Sequence, residues 1–439
     1  MKLKTLSTAM ILAALPMSGA FAAAMDRSGQ SISAFLQPGN YFEAGISVLD
    51  ADVSGTSAAG LGGQATGDMA SSYYFPSAAL KVQATDNISV GLLYDQPFGA
   101  KAEYKDPTNA FTFGGEGTEA EVHTENLSLL FGFQPNENWN FYAGPVYQEA
   151  KGEVKLRGTA YNALGTVGKY DADMKKEGEF GWLVGLAYQI PEIALKASLT
   201  YRSEIEHELN SIETMNGLDP FLVTNGVVRG GVEQAVRSNP ALAGAPEAMI
   251  QGIITQQLAA LNLPTEFSEG KTNVTTPQSV NLDLQSGIME NTVAFLNVRW
   301  VDWKGFAIRP HKFGQIIDTL GNATGQPSLV GGNLVEYNKE QWTVTTGVGR
   351  KFSEKWAGNA SVGWDSGAGN PVTTLGPTEG YWNVGLGLQY SPAPNYFIAG
   401  GVKYFWLGDA DALTVANPNV GQFEDNNAIG YGLKIGYKF

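Results

Sequence analysis

The sequence contains no cysteine in its 439 residues and only three histidines, His123, His207 and His311. Disulfides and thiolate metal sites are thereby excluded, and a His-rich metal centre is not indicated. The lack of thiols also fits export to an oxidising compartment. Neither a Gly-x-Ser-x-Gly elbow nor a Gly-rich phosphate loop occurs, so no nucleophile constellation or nucleotide cradle is available and an enzyme with a cofactor is not expected. Two acidic pairs, Asp171 with Asp173 and Asp409 with Asp411, remain as candidates for a loop cation, although such pairs are ordinarily just solvated. Long hydrophobic runs are absent beyond the amino terminus: with 43% hydrophobic residues and a mean hydropathy of −0.12, no stretch approaches the ~18 apolar residues of a spanning helix. There is no Pro/Ser-rich linker either, which argues for one large closed sheet over two or three soluble domains. Basic residues are few, 28 against 43 acidic ones, a balance unsuited to binding nucleic acid. The acidic excess is best read as keeping long loops soluble.

What the sequence does have is alternation. In the closing stretch, Asn427 to Phe439, the large residues Ile429, Tyr431, Leu433, Ile435, Tyr437 and Phe439 alternate with Gly430, Gly432, Lys434, Gly436 and Lys438. This is a strand with one greasy face, long enough to cross a bilayer at the ~9–11 residues that a tilted strand needs. Its terminal aromatic is the kind of ending that outer-membrane barrels present for assembly. At the other end, Lys2 and Lys4, an apolar stretch Met10 to Leu15 and Ala20-Phe21-Ala22 read as a secretory signal over residues 1–22, cleaved after Ala22. Residues 23–39 form a short polar tail or luminal plug, and residues 40–439 a barrel.

Along the chain the pattern recurs about fourteen times. Clear examples are Ile88, Val90, Leu92 and Tyr94; Leu127, Leu129, Phe131 and Phe133; Phe180, Trp182, Val184, Leu186 and Tyr188; and Trp382, Val384, Leu386, Leu388 and Tyr390. A strand is also read from Thr275 to Gly287, and Pro145 is read as a bulge or kink, since it cannot donate to a ladder. Aromatic residues near the strand ends, with aliphatic ones between, match the girdles of a membrane barrel. Short turns at 84–87, 134–138, 189–192, 289–291, 352–355 and 391–394 fall on one side, and long loops on the other. The fold class is therefore all-β, a transmembrane antiparallel β-barrel with a partly helical extracellular loop at Asn210 to Asn273.

In that loop Met249, Ile250, Ile253, Ile254, Leu258 and Leu261 recur at helical spacing after Ala245-Pro246-Glu247 and before Pro264. This face either packs on neighbouring loops, the plainer reading, or lines an entry groove for a greasy ligand. Inward positions are mainly small or apolar, including Leu130, Tyr142, Val146, Leu183, Val293, Phe295, Phe397 and Phe405. Lys196, Arg202, Arg299, Lys403 and Lys434 interrupt them, with Glu204 and Asp95 as candidate counter-charges. These cations either brace the wall in pairs or orient an amphipathic carboxylate. For the second role the candidates are Phe295, Phe397, Arg202, Arg299 and Lys403.

Val53-Ser54-Gly55-Thr56, Leu199-Thr200-Tyr201-Arg202-Ser203-Glu204, Trp300-Val301-Asp302-Trp303 and Trp364-Asp365-Ser366 resemble the long-chain fatty acid outer-membrane transporters, the FadL-like proteins. The resemblance implies a fourteen-stranded barrel with an amino-terminal plug. It also implies capture of hydrophobic ligands by extracellular loops, a luminal site, and sideways exit near the third strand. The family's plug is longer and carries Asn-Pro-Ala, whereas here that triplet, Asn239 to Ala241, lies in the long loop. Relatives also carry aromatic hydrocarbons. The expected function is passive outer-membrane transport of fatty acids or other hydrophobic molecules by a monomer embedded in lipid. A general diffusion porin and a surface scaffold whose loops bind partners are the alternatives.

Overall fold

A computed structural model describes residues 24–164, 169–216, 227–260 and 267–439. The signal-like residues 1–22, with Leu261 and Pro264, lie outside the described residues. Fourteen strands form the barrel: β1 (Tyr41–Asp52), β2 (Tyr73–Gln83), β3 (Ile88–Asp95), β4 (Glu119–Phe133), β5 (Trp139–Leu156), β6 (Lys169–Ile190), β7 (Leu195–Arg202), β8 (Ser279–Met289), β9 (Thr292–Val301), β10 (Gln341–Lys351), β11 (Trp356–Asp365), β12 (Tyr381–Ala393), β13 (Tyr396–Leu407) and β14 (Asn427–Lys438). Each pairs antiparallel with the next. Closure is complete, because β14 returns to β1 with Tyr41 opposite Lys438 and Asp52 opposite Asn427. A sheet that closes on itself leaves no free edge strand, the condition for a sheet to cross a bilayer.

The outward face carries two aromatic rings. Above, Trp300 stands opposite Trp342, and Trp382 opposite both Trp364 and Trp406. Below, Trp139 pairs with Tyr188, Trp356 with Tyr390 and Tyr396 with Tyr437. From Trp382 to Tyr390 the strand rises about 26 Å at ~3.3 Å per residue, which a ~40° tilt projects to roughly 20 Å, near the height of a membrane barrel's apolar band. Exposed aliphatic residues such as Val384, Leu386 and Leu388 fill the band.

Three expectations are corrected. Of the bulge or kink read at Pro145, the bulge is absent: Trp182 faces Pro145 within an unshifted run from Glu177 to Tyr188. Its cost is local, since pairing to β4 skips from Ser128–Val146 to Phe131–Ala143 without a change of register, as expected when one donor is missing. The strand placed at 275–287 is two pieces, Phe267–Thr276 and β8, separated at Pro277. The long loop also starts later, because β7 continues as Ile205–Asn216 and pairs with Phe267–Thr276. These extensions stand above the upper ring, where the outward face meets water. Glu206, Glu208 and Lys271 are exposed there, so no greasy alternation marks the strand.

Above the barrel the loops pack into a cap around α1 (Val227–Arg237), α2 (Glu247–Ala260) and α3 (His311–Thr324). Trp303 is fully buried at its centre, donates Nε1–H to Gln341 Oε1 at 2.6 Å, and meets Phe98, Phe306 and Tyr337 edge-on. On α3 the residues Phe313, Ile316, Ile317 and Leu320 are buried at helical spacing. Glu213, buried on the strand extension, caps that helix: its carboxylate accepts from the N–H of Lys312 at 2.8 Å and of Phe313 at 2.9 Å, and from the Tyr170 hydroxyl at 2.9 Å. A carboxylate at a helix amino terminus satisfies orphan donors and the dipole together. Glu213→Ala is therefore expected to destabilise the cap by about 1–3 kcal/mol, the desolvation cost of buried donors left unpaired. Faster cleavage of the cap by protease added outside the cell, with the barrel core resistant, would show it; unchanged cleavage would remove this role for Glu213.

Candidate functional site

Residues 24–39 run inside the barrel, and luminal side chains hold them at both ends. At the upper end Arg299, inward on β9, donates through Nε and Nη2 to the two Asp26 oxygens at 2.6 and 3.0 Å. It also donates to Asn281 Oδ1 at 2.7 Å and to Gln30 Oε1 at 3.0 Å. This bidentate fork is the geometry that suits guanidinium to carboxylate. Arg202 on β7 donates to the Gln30 carbonyl, and the Ser28 hydroxyl donates to Asp95 on β3. In the middle, Phe35 is fully buried, 5.7 Å from the Tyr142 ring. It occupies the space that glycine leaves at Gly91 and Gly132, where an added Cβ would come within 2.4 and 3.0 Å of its ring. At the lower end, Lys196 donates to the Leu36 carbonyl at 2.9 Å and Lys81 to the Gln37 carbonyl at 2.7 Å.

The wall beside this segment is interrupted. Pairing of β2 with β3 ends at Ala78–Tyr94, and the two chains meet again only at the bridge Ala70–Ala102. Between these points Gln96, Pro97 and Phe98 turn inward and are buried. Phe98 bridges to Asp26, the Pro97 carbonyl accepts from Arg27 N–H at 2.6 Å, and the Met25 carbonyl from Gly99 N–H at 2.8 Å. The Arg27 guanidinium lies 3.7 Å from the Tyr73 ring centroid behind the gap. Leu127 links the gap to the upper aromatic level, because it stands opposite both Tyr94 and Tyr147, and Tyr147 in turn faces Phe180. This gap in the ladder, the window, thus begins beside Tyr94, a ladder neighbour of Leu127.

In the cap a narrow apolar cleft, with only about 10 Å³ of free volume as it stands, is lined by Leu156, Tyr161, Phe313, Leu334, Leu375 and Val415. Tyr161 bonds to Thr374 Oγ1 at 3.0 Å, and burial pushes its hydroxyl up to about 12, so the cleft stays uncharged. At the opposite end a cavity of about 430 Å³ opens at the lower mouth beside Lys81 and Lys196.

Each expected site residue has a definite place. Leu130, Tyr142, Val146, Leu183, Val293, Phe295, Phe397 and Phe405 are all buried on the inward face. Arg202 and Arg299 come together on the amino-terminal segment through Gln30; Arg299 is thus already engaged by a carboxylate of its own chain. Lys403 lies higher than Phe397 on β13, with its chain against Gly385, whereas Phe397 packs on Gly436 near the lower end. Arg202 does not pair with Glu204, because the strand breaks at Ser203 and Glu204 and the alternation restarts with Ile205 inward, which leaves Glu204 exposed to solvent. On α2, Ile250, Ile254 and Leu258 are buried, Ile253 is half-buried and Met249 is 54% exposed. The buried three face the same core as Val232 and Val236 of α1, so this face is used largely for packing. Among the described residues no group of three or more His, Asp or Glu is arranged to hold a metal ion. Asp409 and Asp411 accept hydrogen bonds from Asp425 N–H and Gln422 instead, and Asp171 pairs with Arg157.

A sequence model of the family described as "Outer membrane protein transport protein (OMPP1/FadL/TodX)" matches residues 20–439. A long-chain fatty acid transport protein of Escherichia coli is 26% identical over 186 residues, covering 38% of this chain and 41% of that protein. Its counterpart in Salmonella typhi is 29% identical over 182 residues, with the same coverage of 38% and 41%. The chain therefore matches about two fifths of the length of these relatives. Among solved structures, a Pseudomonas aeruginosa FadL homologue superimposes with a TM-score of 0.69 at 15% identity, covering 97% of this chain and 98% of that one. The Pseudomonas putida toluene transporter TodX gives 0.58 at 12% identity, covering 92% and 91%. At such identities the structural likeness speaks for the fold.

Proposed function

Because the chain belongs to the outer membrane protein transport family of OMPP1, FadL and TodX, we propose that it carries hydrophobic small molecules passively across the outer membrane. The ligand is caught in the apolar cleft of the cap, passes beneath it and leaves sideways through the window beside β3. What supports this reading is the window itself, a break between β2 and β3 in an otherwise closed ladder that is backed by the amino-terminal segment. Burial supplies the driving force, at about 0.8 kcal/mol for each methylene withdrawn from water. Lateral exit then spares the chain a return to water.

In this reading residues 24–39 are a plug, and the barrel works as a monomer after export with its signal removed. A general diffusion porin needs an aqueous lumen, whereas Ile32, Phe35 and Leu36 here pack with Leu130, Tyr142 and Leu183 in one buried cluster. Long-chain fatty acids and aromatic hydrocarbons both fit the apolar route.

A titration of the purified barrel with a fluorescent long-chain fatty acid, competed by oleate and by toluene, separates them. Saturable binding displaced by oleate supports fatty acids, and displacement by toluene alone supports aromatic hydrocarbons. Binding of neither would end the transport reading.

A further inference from the structure

The lower mouth carries an arrangement that a purely hydrocarbon route does not need. Lys81 and Lys196 both line the cavity of about 430 Å³. Lys81 is only 3% exposed, and its ammonium donates to the Gln37 carbonyl and, at 2.8 Å, to Gln83 Oε1. Lys196 donates to the Leu36 carbonyl. Neither forms an ion pair with a described carboxylate. The buried Lys81 and the partly exposed Lys196 are thus held by neutral acceptors alone, an arrangement that an anion would complete. On its buried side the same cavity carries the apolar Leu36 and Ala187 among amide side chains such as Asn140 and Gln189, and its exposed carboxylates are Asp86 and Glu137.

We propose that Lys81 and Lys196 form a binding site for the carboxylate of an amphipathic, long-chain acid, and that the bound head group replaces the carbonyls of Leu36 and Gln37 as acceptor. A carboxylate is the stronger acceptor for an ammonium. The exchange frees the last turn of the luminal segment, which is held internally by only two backbone bonds, Phe35 N–H to Ile32 O at 3.1 Å and Gln37 N–H to Ala34 O at 3.3 Å. The apolar part of the lining, Leu36 and Ala187, favours a long-chain acid over an inorganic anion. This inference rests on the transport reading, and it adds a second outlet toward the lower mouth that only charged amphiphiles open.

The test is calorimetric titration of the full purified barrel with dodecanoate, with 1-dodecanol and with acetate, in the wild type and in Lys81→Met, Lys196→Met and the double variant. Dodecanoate is expected to bind the wild type about tenfold more tightly than dodecanol, as one charge-assisted hydrogen bond would give. The double variant should lose that preference and keep its affinity for dodecanol, and acetate should bind neither protein measurably. A carboxylate preference that survives in the double variant would overturn the site. Acetate binding as tightly as dodecanoate would overturn the amphipathic class. Absence of binding by dodecanoate and dodecanol alike would instead overturn the transport reading and this inference with it. A second readout does not depend on the lysine variants: Leu36→Cys is the sole thiol in the chain. Dodecanoate should accelerate its labelling severalfold while dodecanol leaves it unchanged; equal rates with both would overturn the release of the segment.

Discussion

Deletion of Pro97 is expected to reduce ligand uptake to that of cells lacking the protein, while the barrel still assembles. The reason lies in the register. Asp95 stands opposite Asn126 and Gly99 opposite His123, so Gln96, Pro97 and Phe98 face only Glu125 and Thr124. The third strand therefore carries one surplus residue, the definition of a bulge, and its occupant is the residue that cannot donate to a ladder. With Pro97 gone, Gln96 and Phe98 can pair across from Glu125 and Thr124, and the ladder with β2 can continue upward past Tyr94. The inward turn that holds Phe98 against Trp303, at 5.4 Å between ring centroids, is lost and the wall closes. Pro97→Gly keeps the surplus residue and is expected to keep uptake. Uptake of a radiolabelled hydrophobic ligand by cells expressing each form is the measurement. Wild-type uptake by the deletion variant would eliminate the window as the exit.

The bulge also shows where sequence reasoning stops. Within the lipid band the solvent is apolar on one side of every strand and the lumen lies on the other, so period-two alternation is enforced and fourteen strands, the turns and all eight inward apolar residues can be read directly. Above the band both faces are wet or packed by loops. Ile205–Asn216 and Phe267–Thr276 carry Glu, Lys, Asn and Thr outward and look like loop. The same holds for α1, whose Gly230 and Gly231 and β-branched valines weaken a helical reading. At the site, Arg299 and Arg202 were legible as inward cations. Their partners were not, because Asp26 lies 273 residues away in sequence from Arg299, and only closure of the barrel brings them together. Lys81 was likewise hidden, as one lysine in an alternating strand. The one local signal for the window was Gln96-Pro97-Phe98 following directly on a regular strand.

Arg299→Met is expected to produce the second large effect, by releasing the luminal segment without unfolding the barrel. The substitution keeps the bulk of the side chain and leaves Asp26, 4% exposed, as a buried carboxylate without its cation. Breaking a buried pair in this way costs about 3–5 kcal/mol. That cost falls on the attachment of residues 24–39, because the ladder contacts of β9 with β8 and β10 are made by backbone and are untouched. The segment is therefore displaced before the wall is. Conductance in planar bilayers should rise from closed to frequent openings, and protease added on the periplasmic side should cut within residues 24–39. Asp26→Asn should act in the same direction but more weakly, since Gln30 and Asn281 still accept from the guanidinium. Combining the two should recover part of the loss, because a neutral amide facing Met is less costly to bury than a lone carboxylate. The coupling read from this cycle distinguishes an anchoring pair from two independent contributions, which additive effects would show; single variants as closed as the wild type would mean that the segment is held by Phe35 and its apolar neighbours alone.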